Sequence, residues 1–272
     1  MKGLKDLYTS LPKGVFSAKK KDGTIYYRSS LTYKNRHISL GSYDDIPSAS
    51  AAYNEGKNIL SDNNISIQDY SEGSYMLPFE KWVCLVNFRD NGIYFKTPIY
   101  VLPKYFEYYY NEDFVYKFDV DDLFFYSHHK IMKRNGHLFV ADYGMQINIL
   151  SRYGIHNHSV EGRDYVFVNG DNTDFRYKNI KILNHYKGVF RNNVNGRDVF
   201  TAKIHINGDF IIGRYKTETE AAVAYNKAVD ILHEKGIGIN YQMNYIEDLT
   251  PIQYASTYNS VKISEKIMQI RT

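Results

Sequence analysis

Thr201, Lys203 and His205 alternate along the chain with Phe200, Ala202 and Ile204. Successive side chains of a β-strand point to opposite faces. The spacing therefore predicts a hydroxyl, an ammonium and an imidazole in one row, with an apolar row behind them. If the apolar row faces a core, the polar row faces outward, where it can neutralise phosphates and hydrogen-bond to base edges. Charge is concentrated in the same sense elsewhere. Residues 1–40 carry Lys2, Lys5, Lys13, Lys19, Lys20, Lys21, Lys34, Arg28 and Arg36 against only Asp6 and Asp22, whereas the whole chain has a net charge of +4. A local excess of this kind suits a polyanion; the blander alternative is a solvated charged face.

The histidines allow a second chemistry. His128 and His129 are adjacent, and His156 and His158 lie two apart. Either pair could ligate a metal ion, but neither stands in the carboxylate pattern a hydrolytic centre needs. Cys84 is the single cysteine, which excludes an internal disulfide and a thiolate cluster. Within Trp82-Val83-Cys84-Leu85-Val86 it reads as a core residue. No apolar run approaches the ~20 residues that span a bilayer, and the start, Met1-Lys2-Gly3-Leu4-Lys5-Asp6, has no apolar signal region. The expectation is a soluble, cytoplasmic, nucleoid-associated protein without a membrane partner.

The elements that would hold these residues occur twice. Lys13-Gly14-Val15-Phe16 returns as Lys187-Gly188-Val189-Phe190, and Leu40-Gly41-Ser42-Tyr43 as Ile212-Gly213-Arg214-Tyr215. An offset of 172 also lays Ala49, Ala52, Tyr53, Asn54, Ile59 and Leu60 on Ala221, Ala224, Tyr225, Asn226, Ile231 and Leu232. So many matches in one order mark an internal repeat. In the second copy Gly188–Asn193, Val199–Ile206 and Asp209–Tyr215 read as strands, with Asn207-Gly208 as a hairpin turn. Thr217 and Glu220 form a capping box, Ala221, Ala224, Tyr225, Ala228, Ile231 and Leu232 make one helical stripe, and Gly236 is a stop signal. The first copy follows with Asp45 as N-cap, Pro47 in the first turn, and a stripe of Ala49, Ala52, Tyr53, Gly56, Ile59 and Leu60.

Gly-Val on the first strand, a Leu-Gly-x-Tyr close to the third, and the Thr217-x-x-Glu220-Ala-Ala-x-Ala-Tyr225 helix resemble the plant ethylene-response-factor (apetala-class) DNA-binding domain, which also accompanies HNH nucleases in bacterial and phage proteins. The second copy matches over about residues 186–241, ending at Asn240-Tyr241, and the first over about 12–64. The resemblance implies a sheet face that enters the major groove. Carried over by position, it marks Lys187, Phe190, Asn192, Lys203, His205, Asp209 and Ile211, beside Arg191 and the alternation-derived Thr201. In the first copy Lys13, Lys19, Arg28, Thr32, Arg36 and His37 lie on or beside the equivalent face and suit phosphate contacts. The family's arginine- and tryptophan-bearing face is here replaced by Phe190, Asn192 and Ile211, so its target sequence does not transfer.

Between the copies, Phe79–Phe88 and Gly92–Leu102 read as strands about an Arg89-Asp90-Asn91-Gly92 turn. His128–Lys133 and His137–Asp142 read as a hairpin about Asn135-Gly136, and Gln146–Tyr153 as a helix. Asn169-Gly170-Asp171, Asp174, Arg176 and Asn179 then resemble the frame of HNH nucleases. Where that family has its Asp-His this chain has Val166-Phe167, and Ser151 replaces its first histidine, between Leu150 and Arg152. Valine and phenylalanine can neither bind a metal nor activate water. The resemblance thus implies a nuclease scaffold without its active site. After Asp248, Thr250-Pro251 opens a segment that reads as one helix with Ile252, Ala255, Tyr258 and Val261 on one side.

The expected fold class is α+β. Two three-stranded antiparallel sheet-plus-helix modules (1–64 and 186–245) flank a strand-rich segment (65–126) and a central α+β domain resembling a degenerate HNH (ββα) fold (127–185), before a C-terminal helix (246–272). The expected function is sequence-specific binding of double-stranded DNA, as a transcriptional regulator derived from a mobile-element nuclease, with no catalytic residues, metal or cofactor and a possible homodimer. The alternatives are an HNH-type homing endonuclease with a non-standard metal site and a protein-interaction scaffold.

Overall fold

The protein is α+β. The computed structural model describes residues 11–157, 159–237 and 240–270, and the chain forms two compact units, Met1–Ile147 with Asn172–Tyr177, and Asn148–Asp171 with Lys178–Thr272. Lys2, Lys5 and His158 lie outside the described residues. No helix among those described is long and apolar enough to cross a membrane.

In the first unit β1 (Val15–Lys19), β2 (Ile25–Tyr33) and β3 (Arg36–Tyr43) form an antiparallel sheet in that order. Helix α1 (Ile46–Ser61) packs on it, burying Ala49, Ala52, Gly56, Ile59 and Leu60 against Leu31, Ile38 and Leu40. Asp45 caps α1 by accepting from the Ser48 amide at 2.7 Å. The next element departs from expectation. Phe79 to Asn91 is one helix, α2, and Gly92 ends it at φ 73° instead of turning a hairpin. Every residue from Trp82 to Arg89 is buried. A run buried on all sides and almost wholly apolar carries neither the strand nor the helix period clearly, so its pattern is uninformative. Arg89 serves the end of α1, donating to the Ile59 and Asp62 carbonyls at 3.0 and 2.7 Å. The remainder holds β4 (Ile99–Val101), β5 (Tyr105–Tyr109) and β6 (Val115–Asp119) in a second sheet and α3 (Leu123–His128). β7 (Ile131–Arg134) and β8 (His137–Asp142) form the expected hairpin about Asn135-Gly136.

The segment expected as a helix over Gln146–Tyr153 is instead β9 (Met145–Asn148) and a 3-10 turn over Ile149–Tyr153, halted by Gly154 at φ 74°. In the second unit β10 (Tyr165–Phe167) pairs antiparallel with β11 (Ile180–Ile182). β12 (Val189–Val194), β13 (Arg197–His205) and β14 (Asp209–Tyr215) form the other module sheet, covered by α4 (Glu218–Glu234) with the Thr217/Glu220 capping box in place. The expected single C-terminal helix is two, α5 (Pro251–Ser260) and α6 (Glu265–Gln269). The break falls at Val261, which is buried with the α4 core, while Ile252 points outward at 83% exposure. Lys227 of α4 donates to the carbonyls of Tyr258 and Val261 at 2.7 and 3.1 Å and so stops α5.

The two modules share their irregularities as well as their outline. A register shift lies at Ser29/Ser30 in β2 and at Ala202/Lys203 in β13. At each shift the amide donates to the carbonyl of a left-handed glycine: Ser30 to Gly14 at 2.9 Å, Lys203 to Gly188 at 2.7 Å. Tyr53 and Tyr225 pack directly against those glycines, and the Tyr43 and Tyr215 rings lie over Gly41 and Gly213. Burial pushes the phenols of Tyr43, Tyr215 and Tyr225 up to about 12. An unfolded tyrosine ionises near 10, so between these values the unfolded chain sheds protons that the folded chain retains. Stability is expected to hold up to about pH 10 and to fall steadily toward pH 12. Melting temperature against pH checks this, and a midpoint unchanged across that window would contradict it.

Candidate nucleic-acid interface

Cross-strand partners in an antiparallel sheet share a face, so the registers define what each module turns away from its helix. In the first module the outward rows are Phe16–Arg28–Ser42, Ser30–Ser39 and Thr32–His37. In the second the matching rows are Phe190–Thr201–Arg214, Lys203–Ile211 and His205–Asp209. Each face therefore holds a phenylalanine and an arginine in one row. The arginine stands on the central strand as Arg28 in one copy and on the third strand as Arg214 in the other. Each also holds a histidine in its far row. Phe16 is 52% and Ile211 45% exposed, large apolar side chains left in water.

Several residues expected on these faces are elsewhere. Arg36 pairs with Tyr33 on the core side, its guanidinium carbon 5.3 Å from the Tyr94 ring centroid. Lys34 is engaged similarly, donating to the Arg89 carbonyl at 3.3 Å. The first module's basic excess is thus partly used within the fold. Lys19 alternates with Phe16 and Ala18 and falls on the helix side of β1, though exposed. Arg191 likewise lies on the helix side of β12, ion-paired to Asp198, with its amide donating to Asn184 at 2.8 Å. Thr201 does face outward but is only 5% exposed, its hydroxyl accepting from Asn192 at 3.1 Å. Phe190, Asn192, Lys203, His205, Asp209, Ile211, Arg28, Thr32 and His37 keep their expected places. Lys13 and Lys187, just before β1 and β12, are exposed.

Two arginines missed by the sequence reading belong here. Arg214 is next to the core-packed Tyr215, but strict alternation would set it on the side of the buried Ile212; the register shift at Ala202/Lys203, which passes over Ile212, turns it outward. Arg163 carried no signal, because it lies outside the repeat. Its guanidinium carbon is 5.4 Å from the Phe190 ring centroid, and Lys203 Nζ is 5.3 Å from the same centroid. The adjacent His205 Nδ1 and Asp209 Oδ1 are 2.9 Å apart.

The Asn-Gly-Asp frame has a structural task. Asn179 Oδ1 accepts from the Asn169 amide at 2.8 Å, its Nδ2 donates to the Asp171 carbonyl at 3.2 Å, and Asn169 Oδ1 accepts from the Asp171 amide at 2.8 Å. These bonds close the connection that leaves β10. Asp174 is buried and paired with Arg176, at 2.7 and 2.5 Å. Val166 and Phe167 lie in β10 opposite Lys181 and Ile180, and no α-helix separates β11 from β12. His128 Nδ1 meets the Phe124 carbonyl at 2.8 Å, His129 Nδ1 the Phe125 carbonyl at 2.9 Å, and His156 Nε2 the His185 carbonyl at 2.9 Å. Among the described residues no three His, Cys, Asp or Glu side chains converge as a metal site. No protein family, curated protein or solved structure matches the chain.

Proposed function

We propose that this protein binds double-stranded DNA with the outward faces of its two sheet modules, and acts as a sequence-specific, non-catalytic regulator derived from a mobile-element nuclease. The observation that carries the reading is the repeated outward row of one aromatic and one guanidinium, Phe16 with Arg28 and Phe190 with Arg214. Arginine offers a fork that matches phosphate or the guanine edge, and exposed apolar groups such as Ile211 suit a thymine methyl. Asp209 accepts only, which suits a cytosine amino group and disfavours phosphate. Val166 and Phe167, where a nuclease would need a ligand and a base, support a role without cleavage.

The test is selection of bound duplexes from a random pool with Mg²⁺ present, sequencing both retained and cut DNA. Enrichment of a two-part motif in uncut duplexes is expected. Cut ends at a fixed offset from the motif would instead establish an endonuclease. Indifference to duplex DNA at low salt would favour a protein partner for the same faces. Lys203→Ala is expected to lower the slope of log affinity against log salt by about 1, with the melting temperature unchanged. An unchanged slope would remove Lys203 from the interface.

A further inference from the structure

Arg163 reaches the C-terminal module's face from outside the repeat, and a short chain of hydrogen bonds explains why it is there. Asn184 accepts the Arg191 amide of the edge strand β12 at 2.8 Å. Its Nδ2 donates to the Arg163 carbonyl at 2.7 Å and to Asp164 Oδ1 at 3.1 Å. The Asp164 carboxylate also accepts from the Val160 amide at 2.8 Å and from Arg163 Nε and Nη2 at 3.0 and 2.6 Å. Burial pushes the Asp164 carboxyl up, but the hydrogen bonds from Arg163, Val160 and Asn184 outweigh it and hold the group below its usual range. One edge of the guanidinium is therefore clamped, and its carbon lies 5.4 Å from the Phe190 ring centroid. The Arg163 side chain is nonetheless 52% exposed. An arginine has five N–H donors, and the Asp164 contacts occupy only the Nε and Nη2 side. A guanidinium fixed on one edge and stacked on an aromatic ring loses little side-chain entropy when its remaining donors meet a partner.

The first module needs no such visitor, since its central strand carries Arg28 beside Phe16. In the second module the matching central residue is the neutral, buried Thr201. We propose that Arg163 supplies the guanidinium missing from that position, and that it takes an acceptor pair of duplex DNA, either phosphate oxygens or guanine O6 and N7. This inference rests on the DNA-binding reading above. It makes the loop that carries Arg163 part of the interface.

The test compares the full-length chain with its Arg163→Ala, Arg163→Lys and Phe190→Leu variants, by duplex selection and by affinity across a salt series, with melting temperature as the control. Arg163→Ala is expected to weaken binding by between about 5- and 150-fold, the range for one lost bidentate contact. Phe190→Leu, which removes the stacking ring but keeps an apolar side chain, is expected to weaken it in the same direction. Relaxed preference at one base position, with Arg163→Lys as poor as Arg163→Ala, assigns the contact to guanine. A uniform loss across sequences, a salt slope lower by about 1 and rescue by Arg163→Lys assign it to phosphate. Unchanged affinity, preference and slope in Arg163→Ala, while Lys203→Ala still weakens binding, would overturn the inference and leave the DNA-binding reading standing. Absence of duplex binding by the unaltered chain at low salt would end both.

Discussion

Gly188→Ala is expected to unfold the C-terminal module. A Cβ built on Gly188 would lie 2.4 Å from a Tyr225 ring carbon and 2.5 Å from the Lys203 carbonyl oxygen, at a backbone φ of +73°. The left-handed conformation costs an alanine about 1–2 kcal/mol. Forcing extra volume into a packed site adds about 1–3 kcal/mol, and more where the obstacle is backbone. Here the backbone contact is also the hydrogen-bonded register shift, because the Lys203 amide donates to the Gly188 carbonyl. The clash therefore cannot be relieved without opening β12 from β13. A domain of this size is stable by only about 5–15 kcal/mol, so a loss of this order is a large fraction of the total. Gly14→Ala is the matching experiment in the first module, where the Cβ would lie 2.0 Å from the Tyr53 ring and 2.7 Å from the Ser30 carbonyl oxygen. The single tryptophan separates the two results. Trp82 is buried in the N-terminal unit, with its indole N–H donating to the Ser66 carbonyl at 2.9 Å. Gly14→Ala should lower the denaturant midpoint of Trp82 emission. Gly188→Ala should lose ellipticity with that emission unmoved. Ellipticity and its denaturant midpoint within experimental error of the parent in Gly188→Ala would show that the shift tolerates a side chain.

The same glycines show which signals were legible in the sequence. The repeat was readable because its restrictive positions are steric: Gly14 and Gly188, Tyr53 and Tyr225, and the alanines under each helix must recur wherever the packing recurs. Helix caps were readable for a similar reason, since Asp45 and Thr217 act through bonds three residues away. Phe79–Phe88 reads as a strand because the stretch of α2 from Trp82 to Arg89 is buried on every side and loses the polar face that would make it periodic. The C-terminal helix was misread because Val261 fits the stripe but follows α4, whose Lys227 takes up the last carbonyls. Site residues divided in the same way. Strand alternation placed Lys203 and His205 correctly, whereas the register shifts and the cross-strand partner of Arg36 depend on pairing between segments. Arg163 depends on a contact between β12 and a loop that precedes it by more than twenty residues, and no local pattern encodes that.

Neutralising one module's face is expected to cost far more affinity than one module's contacts alone would supply. Two linked modules on one duplex make the second binding event intramolecular, and such linkage raises affinity by about 10²–10⁴-fold over a single module when both can engage. The repeat itself provides substitutions compatible with the fold. Arg28→Thr places on the first face the residue that the second carries at Thr201, while Lys203→Ser and Arg214→Ser place on the second the residues that the first carries at Ser30 and Ser42. The Lys203→Ser and Arg214→Ser pair is expected to reduce affinity for a two-part duplex by about 10²–10⁴-fold, and the single Arg28→Thr by between about 5- and 150-fold. Each should leave binding to the other module's isolated half-site within about threefold of the parent, an effect under 1 kcal/mol. Combining the sets should flatten the salt dependence, because log affinity falls with log salt in proportion to the phosphates neutralised. Anisotropy titrations on two-part and half-site duplexes measure all of these. Equal affinity of the unaltered chain for a two-part duplex and for its better half would mean that only one face binds at a time, and the repeat would then serve two alternative sites instead of one composite site.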